Sequence, residues 1–139
     1  MKLKIKKLKE NIIPPSYAYE HDAALDLYSS QEIILKSGQC HQFKLGFATE
    51  IPQGYVALIW DKSSFGSQGI KTLGGVIDAG YRGEWKIVLQ NLSDKDFKIN
   101  KGQKIAQALI QKVEKVKIEE TNKLSDSQRG KGGFGSSGK

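Results

Sequence analysis

Short runs of β-favouring residues, separated by turn residues, constrain the fold of this chain more than any other feature. Turn segments such as Lys36-Ser37-Gly38 and Pro52-Gln53-Gly54 lie between runs rich in branched and aromatic side chains. No segment longer than about ten residues has the apolar periodicity of a helix. Many short strands at this spacing are typical of all-β sandwiches and barrels. We therefore predict an all-β sandwich or barrel.

Alternation of apolar and polar residues locates the expected strands. The first surrounds Leu3 and Ile5, which alternate with lysines and predict one buried face. Around Asp26, a carboxylate between two leucines is expected on the strand face opposite theirs, with a plain edge or solvent-facing position as the alternative. The other expected strands are Glu32–Leu35, Gln42–Ala48, Tyr55–Trp60, Trp85–Gln90, Lys95–Ile99 and Lys104–Ile110, and Val113–Ile118 closes the regular part.

Length and charge narrow the class of protein. The 139 residues, of which 38% are hydrophobic, are enough for one compact domain with its own core. No apolar run approaches the ~20 residues of a membrane span, and the basic N-terminus leads into no signal-peptide core. We therefore expect a soluble protein of the cytoplasm or another intracellular compartment. The net charge of +7 favours anionic partners, which include nucleic acid, membrane surfaces and phosphorylated small molecules.

A glycine-rich hairpin, Gly74–Gly83, is the first candidate functional element. Val76 and Ile77 lead to the carboxylate of Asp78 at the edge of a turn, and Tyr81 follows it. β-favouring runs flank this segment, so the pattern predicts strand, turn and strand. Such a hairpin can offer backbone donors and acceptors to a ligand while its aromatic residue packs on a ring or sugar. The alternative is an ordinary surface hairpin in which Asp78 only caps the turn.

Two further polar features favour phosphate binding. The segment Lys62–Ile70 follows an apolar run and combines hydroxyls, glycines and a lysine, which can gather around phosphate oxygens. A plain Ser/Gly loop is the alternative, and the spacing is not that of a Walker-type P-loop. Gln107 interrupts an apolar run, and a buried amide needs hydrogen-bond partners. Gln107 is therefore either satisfied internally or faces a ligand.

The C-terminal segment differs from the rest of the chain in composition. Between Asp126 and Lys139, glycine recurs at every second or third position, with Arg129 and a single aromatic residue, Phe134. Such a segment cannot bury enough apolar surface to order itself. An arginine and glycine N–H groups can clamp phosphates, and a phenylalanine can stack on a base. We interpret the segment as a lid that becomes ordered when a ligand binds.

Five segments resemble the trimeric dUTP pyrophosphatase (dUTPase) family, and together they cover nearly the whole chain. They are Ala23–Leu27, Lys62–Ser64, Gly75–Gly83, Gly102–Gln107 and Arg129–Gly138. The resemblance implies a jelly-roll-like β fold, with a β domain at residues 1–120 and a flexible C-terminal arm at residues 121–139 that closes over the active site. It also implies a homotrimer with active sites shared between subunits, and no nucleic-acid or membrane partner.

The activity that this resemblance implies is the Mg²⁺-dependent hydrolysis of dUTP to dUMP and pyrophosphate, by attack of water on the α-phosphorus. Such an enzyme limits uracil incorporation into DNA and supplies dUMP for thymidylate synthesis. By resemblance, Asp78 holds and activates the water, Tyr81 packs beneath the deoxyribose, and Asp26 acts on the metal through water. The residues implied in substrate binding are Lys62, Ser63, Ser64, Gly74, Gly75, Val76, Ile77, Tyr81, Gln107, Arg129, Phe134, Gly135, Ser136 and Ser137.

Within this set the resemblance implies distinct roles. The hairpin backbone reads the uracil edge, while Ser63 and Gln107 contact the phosphates. Arg129 meets the γ-phosphate, Phe134 covers the uracil, and the serines that follow complete the grip on the phosphates. The second motif departs from the family pattern, which usually begins Pro-Arg-Ser, because it reads Asp61-Lys62-Ser63 here. Lysine lacks the bidentate fork of arginine, so its phosphate contact is expected to be weaker or different.

Two other functions remain open from the sequence. A dCTP deaminase or bifunctional relative of the same fold is expected to use a glutamate base and a different C-terminal segment, whereas this chain has Asp78 and Phe134. A non-catalytic β module that binds nucleic acid would spread aromatic and basic residues along exposed strands. The placement of Phe134 in a glycine-rich arm suits a lid over a single nucleotide better.

Overall fold

Turn residues divide the chain into short strands, as the sequence indicates. The computed structural model describes residues 1–134, in which eleven strands and one helical turn occur. In chain order the elements are β1 (Lys4–Lys7), β2 (Leu25–Tyr28), β3 (Ile33–Leu35), β4 (Cys40–Lys44), β5 (Phe47–Glu50), β6 (Tyr55–Asp61), α1 (Ser63–Gly66), β7 (Ile70–Leu73), β8 (Val76–Asp78), β9 (Lys86–Asn91), β10 (Phe97–Ile99) and β11 (Lys104–Lys112).

Two antiparallel sheets form the body of the molecule. One has four strands in the order β2-β11-β6-β8, and the other has three in the order β4-β9-β7. Two smaller pairs, β1-β5 and β10-β3, complete the arrangement. Within residues 1–134 none of these sheets closes on itself, so the architecture is an open, layered β-sandwich. The prediction of an all-β, jelly-roll-like sandwich is confirmed.

A single hydrophobic core lies between the two larger sheets. Its members come from both sheets, with Leu27 and Ile105 on one side and Phe43 and Leu89 on the other. Trp85 is fully buried at its centre, and its indole Nε1 donates a hydrogen bond to Thr49 Oγ1 at 2.9 Å. Because the inward faces of the sheets are used in this way, functional side chains are left to the outward faces and the loops.

Three expectations about the strands are wrong. The predicted buried face of the first strand is absent from β1, whose four residues are all exposed because it pairs only with the edge strand β5. The single strand predicted for Gln42–Ala48 is broken at Gly46, whose φ of 77° bends the chain between β4 in one sheet and β5 in another. Residues 113–118 form no strand, because β11 already ends at Lys112.

The polar loop after β6 contains a helical turn that the sequence did not indicate. Within α1, Phe65 is buried and packs edge-on against Phe97 with ring centroids 5.0 Å apart. This one apolar residue draws the polar segment around Lys62 and Ser63 against the body of the sandwich. No helix within residues 1–134 is long and apolar enough to span a membrane.

The chain leaves the sandwich after β11. The Val113 N–H still donates to Gly54 O at 2.9 Å, but the apolar residues that follow lie in the open. Val116, Ile118 and Leu124 are each more than 80% exposed. These side chains take no part in the core of the sandwich.

Candidate functional site

The outward face of the four-stranded sheet carries the first group of candidate residues. On β2, Leu25 and Leu27 point into the core, so Asp26 between them points outward, as the sequence predicts. Asp26 lies opposite Gln107 on β11, and Gln107 lies opposite Trp60 on β6. Residues directly opposite each other share a face of an antiparallel sheet. The strand register therefore places Asp26 and Gln107 side by side.

A cleft of about 340 Å³ opens beside this pair. The structure brings together four residues that the sequence analysis singled out, because Asp26, Lys62, Ser63 and Gln107 all line this cleft. The remaining lining residues are Ala18, Asp22, Ala23, Ala24 and Lys104. The small side chains leave room for a ligand, and the polar ones offer it amide, hydroxyl and ammonium donors. This donor set suits phosphate oxygens.

Lys104 and Asp26 form an ion pair inside the cleft, with Nζ 2.5 Å from Oδ2. The hydrogen bond to the Asp26 carboxylate raises the pKa of Lys104 above its ordinary value. Lys104 therefore remains a cation across the physiological range. The cleft holds two ammonium groups, those of Lys62 and Lys104, and two carboxylates, those of Asp22 and Asp26. Its lysines can contact phosphate oxygens, but the lining carries no excess of positive charge.

The side chains of the loop are held by local hydrogen bonds. Lys62 Nζ donates to Ser64 Oγ at 2.7 Å, and Gln107 Nε2 donates to the backbone oxygen of Asp61 at 2.9 Å. Gln107 is partly satisfied within the protein and also lines the cleft. One amide hydrogen is used, and the second hydrogen and the carbonyl oxygen remain for the cleft.

The glycine-rich segment Gly74–Gly83, for which we keep the name hairpin, forms a separate group at the other edge of the same sheet. Its predicted strand and turn are present, but β8 pairs with β6 and β9 belongs to the three-stranded sheet, so the prediction that the flanking strands form a hairpin is wrong. β8 pairs with β6 and is the last strand of the sheet, so one row of its backbone groups has no strand partner in the described part of the chain. Gly75 has a φ of 118° and lies so close to β6 that a Cβ there would be 3.0 Å from Ile59 O. Ile59 N donates to Gly75 O at 2.8 Å. These contacts fix the entry to the hairpin.

Asp78 and Tyr81 stand on either side of the hairpin turn. The Tyr81 N–H donates to Asp78 O at 3.0 Å, and the Asp78 carboxylate is exposed. The Tyr81 hydroxyl donates to Glu84 O at 3.0 Å, which lays the ring across Gly83. A Cβ at Gly83 would lie 2.3 Å from the Tyr81 hydroxyl. A cavity of about 210 Å³ runs along this edge and is lined by Val76, Ile77, Asp78, Tyr81, Glu84, Trp85 and Lys86.

The hairpin and the cleft do not meet within one chain. Asp26 and Asp78 lie on strands at opposite edges of the sheet, and the positions on β6 that align with them are Trp60 and Val56. Three strand spacings across the sheet and four residues along it correspond to roughly 20 Å. Asp26 and Asp78 therefore line separate cavities within one chain.

The C-terminal residues lie apart from both groups. Arg129 Nε donates to Gly132 O at 2.9 Å within a local turn, and Phe134 is fully exposed. Neither lines the cleft or the hairpin cavity in the described part of the chain. Gly135, Ser136 and Ser137 lie outside the described residues. The lid remains an expectation from the sequence.

Three residues beside the site were not predicted. Lys104 belongs to a recognised motif segment without an assigned role, Asp61 stands directly before the polar loop, and Gly83 follows Tyr81 by two positions. The sequence did offer two signals: Lys104 is an ionisable residue on the strand that carries Gln107, and Gly83 is a glycine near the aromatic Tyr81. Neither signal specifies a contact, because the contacts depend on strand register and on the direction of the side chains.

The described residues contain no group of three or more His, Cys, Asp or Glu side chains that could hold a metal ion. The cleft does present two carboxylates, Asp22 and Asp26, beside its ammonium groups. Mg²⁺ commonly keeps several waters and is bound by one or two carboxylates together with substrate phosphates. The cleft fits a metal that arrives with a polyphosphate, and it does not fit a metal held by protein alone.

Comparison with known proteins agrees with the motifs. A sequence model of the dUTPase family matches residues 10–138. A deoxyuridine 5'-triphosphate nucleotidohydrolase of Clostridium tetani is 46% identical, with 99% of this chain and 97% of that protein covered. One from Nautilia profundicola is 44% identical, with full coverage of both. The structure of the Staphylococcus bacteriophage 80alpha dUTPase with dUpNHpp superposes with a TM-score of 0.91 at 28% identity, covering 99% and 98% of the two chains. The chain belongs to the dUTPase family.

Proposed function

We propose that this protein hydrolyses dUTP to dUMP and pyrophosphate, with the hairpin binding the nucleoside and the cleft binding the phosphates. The relatives that share more than 40% of the sequence over their full length are named for this substrate. The observation that carries the proposal is the division of the site. The β8 edge of the sheet offers backbone groups and an aromatic ring, whereas the cleft beside β2 and β11 and the loop after β6 offer two lysines and one amide. A nucleoside triphosphate has these two chemical halves.

Asp78 is the residue we assign to the attacking water. Its carboxylate is exposed at the end of β8 and stands next to the cavity that Tyr81 lines. A carboxylate is a weak base, so holding the water in line with the α-phosphorus must supply much of the rate. The hydrogen bond between Tyr81 N and Asp78 O fixes the turn on which the carboxylate stands.

The free edge of β8 is the element we assign to the base. Unpaired backbone groups along an edge strand can hydrogen-bond to the edge of uracil, and cytosine would present the wrong donors and acceptors to the same groups. A buried mismatch of this kind leaves polar groups unsatisfied, which costs about 1–3 kcal/mol each. Tyr81 lies beside this edge, where its ring can pack against the deoxyribose.

The cleft is the element we assign to the triphosphate and its metal. Ser63 and the free amide hydrogen of Gln107 donate to phosphate oxygens, and the ammonium groups of Lys62 and Lys104 neutralise charge. Bound Mg²⁺ would stabilise the charge that develops on the phosphates. Asp26 would hold water molecules of that ion, and its pairing with Lys104 sets its direction.

A homotrimer with shared active sites is the assembly we propose, and the separation of the two groups supports it. The sheet face between them is partly apolar and uncovered, since Val76 is 69% exposed and Trp60 is 53% exposed. An exposed apolar face rimmed by polar residues is typical of a protein–protein interface. Packing of this face against a second copy would bring the hairpin of one subunit towards the cleft of the next.

A panel of nucleotides tests the proposed activity. The protein is incubated with each deoxynucleoside triphosphate and with UTP in the presence of Mg²⁺, and both pyrophosphate and ammonia are measured. We expect pyrophosphate from dUTP alone and no ammonia from any nucleotide. Release of ammonia from dCTP would support a deaminase instead. Absence of turnover with all nucleotides would contradict the enzymatic proposal.

A further inference from the structure

We propose that Asp61 is a positioning residue that holds the phosphate-binding loop and Gln107 in place for the triphosphate. The proposal rests on the proposed function, because it concerns the same cleft. Asp61 itself does not line the cleft, whereas its neighbour Lys62 and the loop residue Ser63 do. Its effect on the substrate therefore passes through these residues.

The Asp61 carboxylate is bound on both of its oxygens. Oδ1 accepts hydrogen bonds from the Thr72 backbone N–H at 2.7 Å and from the Thr72 hydroxyl at 2.5 Å, and Oδ2 accepts from Lys71 Nζ. We name this group of three residues the Asp61 clamp. Lys71 and Thr72 belong to β7, which begins where the loop ends. The clamp thus ties the last residue before the loop to the first strand after it.

The clamp replaces strand pairing at this point. β6 belongs to the four-stranded sheet, whereas β7 is the edge strand of the three-stranded sheet and pairs only with β9 in the described part of the chain. No strand pairing therefore joins β6, where the loop begins, to β7, where it ends, in the described part of the chain. The free side of β7 presents the Thr72 N–H, and the carboxylate of Asp61 accepts it. One side chain closes the gap between two sheets at the base of the loop.

A second contact extends from Asp61 into the cleft. Its backbone oxygen accepts from Gln107 Nε2 at 2.9 Å, which directs the remaining amide groups of Gln107 towards the cleft. A shift of Asp61 would move Lys62 through the chain and Gln107 through this hydrogen bond. Two residues that we assign to the phosphates, Lys62 in the loop and Gln107 on β11, thus depend on one anchor.

The loop has an independent anchor at its other side. Phe65 is buried against Phe97, so loss of the clamp should leave the loop attached to the sandwich but open at its base. We therefore expect an effect on phosphate binding without loss of the fold.

The test compares Asp61→Asn and Thr72→Val with the wild type, and Thr72→Ser as the conservative control that keeps a hydroxyl. Affinity is measured for dUpNHpp, which offers three phosphates, and for deoxyuridine, which offers none. We expect Asp61→Asn to weaken dUpNHpp about tenfold, with unchanged deoxyuridine affinity and a KM effect larger than the kcat effect. Thr72→Val should give a smaller loss in the same direction, and Thr72→Ser should restore the wild-type value.

The outcomes separate this proposal from the proposed function. Wild-type protein that binds no dUpNHpp would contradict the function, and the role of Asp61 would fail with it. Normal dUpNHpp affinity in both Asp61→Asn and Thr72→Val would overturn the positioning role alone. Equal weakening of dUpNHpp and deoxyuridine would show that the clamp only stabilises the fold, which also overturns the proposal. Should Asp61→Asn fail to fold, Thr72→Val and Thr72→Ser decide the question.

Discussion

At the scale of single residues, the strongest prediction concerns Asp78. Replacement by asparagine keeps the size of the side chain and removes the charge that orients and activates water. We expect Asp78→Asn to lower kcat by on the order of 10²–10⁴-fold. Binding of dUpNHpp should stay close to wild type, because the backbone of β8 and the cleft are untouched. Steady-state hydrolysis of dUTP and calorimetric titration with dUpNHpp measure the two quantities.

The matched control for this prediction is Asp94→Asn. Asp94 is also an exposed carboxylate, but it lies in the turn between β9 and β10, away from the hairpin. Its replacement should leave hydrolysis unchanged. A wild-type rate for Asp78→Asn would show that another group activates the water.

Gly83 is predicted to control discrimination against ribonucleotides through the pose of Tyr81. An added Cβ at Gly83 would lie 2.3 Å from the Tyr81 hydroxyl, so the ring must move. We expect Gly83→Ala to reduce the preference for dUTP over UTP by about tenfold, measured as the ratio of their kcat/KM values. Gly80→Ala is the control within the same turn, since its added Cβ meets no atom within 4 Å. An unchanged ratio in Gly83→Ala would show that the position of the Tyr81 ring does not determine the preference for dUTP over UTP.

The Asp61 clamp also makes a prediction about stability and pH. Burial raises the pKa of Asp61, but the hydrogen bonds from Lys71 and Thr72 outweigh it and hold the pKa below its ordinary value of 3.8. A carboxyl group with a lowered pKa in the folded state stabilises the protein above its unfolded pKa, and this stabilisation is lost as the pH falls through the folded pKa. We therefore expect Asp61→Asn to destabilise the protein by about 1–3 kcal/mol at neutral pH.

Urea unfolding at fixed protein concentration measures this effect. The difference between wild type and Asp61→Asn should be constant near neutral pH and should shrink below pH 3.8 as the wild-type carboxylate is protonated. A difference that persists at low pH would mean that the charge of Asp61 does not contribute. Asp94→Asn again serves as the control, with no expected change.

At the scale of elements, the sequence was most informative where the pattern is local. Alternation around Asp26 predicted its outward direction, and glycines predicted the turn beside Asp78, but β8 pairs with β6 and not with the downstream strand β9 as a hairpin would. The pairing of Asp26 with Gln107 depends on the register between β2 and β11, which no local pattern specifies. The Asp61 clamp joins strands of two different sheets, so it is set by tertiary packing alone. β1 is a different case, because the alternation of apolar and polar residues correctly predicted a strand but not the exposure of all four of its residues.

The C-terminal arm is the element with the most direct test. In the described part of the chain, Arg129 contacts only its own turn and Phe134 is fully exposed, so neither contributes to the core. Deletion of residues 129–139 should leave the fold and the oligomeric state intact. The deletion should lower kcat/KM by at least about tenfold, because the loss of the Arg129 contact to phosphate is by itself enough for that effect. Circular dichroism, sedimentation and dUTP hydrolysis check these three expectations.

Arg129→Ala in the full-length chain is the companion variant for this deletion. It removes one side chain and should reproduce the larger part of the loss if the arm acts on the γ-phosphate. Dissociation of the oligomer on deletion would instead assign the arm a structural role. Full activity of the shortened chain would contradict the proposed role of the arm as a lid.

At the scale of the whole molecule, the central observation is that one chain keeps the two groups of the proposed site apart. The strands that carry Asp26 and Asp78 are the two edges of the same sheet, and these two residues are roughly 20 Å apart by strand spacing. A closed trimer repeats each half three times, so every cleft can face a hairpin from a neighbouring chain. Sedimentation should therefore find a trimer, and hydrolysis should be lost whenever dilution dissociates it.

Mixed oligomers provide the decisive test of site sharing. Asp78→Asn disables the hairpin half, and the double variant Ser63→Ala/Gln107→Ala disables the cleft half, so each protein alone should be nearly inactive. When the two are co-expressed in equal amounts, a site is intact only where the unaltered hairpin of one chain meets the unaltered cleft of another. Random mixing should then restore about a quarter of the wild-type activity. Mixtures with no activity above the separate variants would place both halves in one chain and would require the sheet to rearrange on binding.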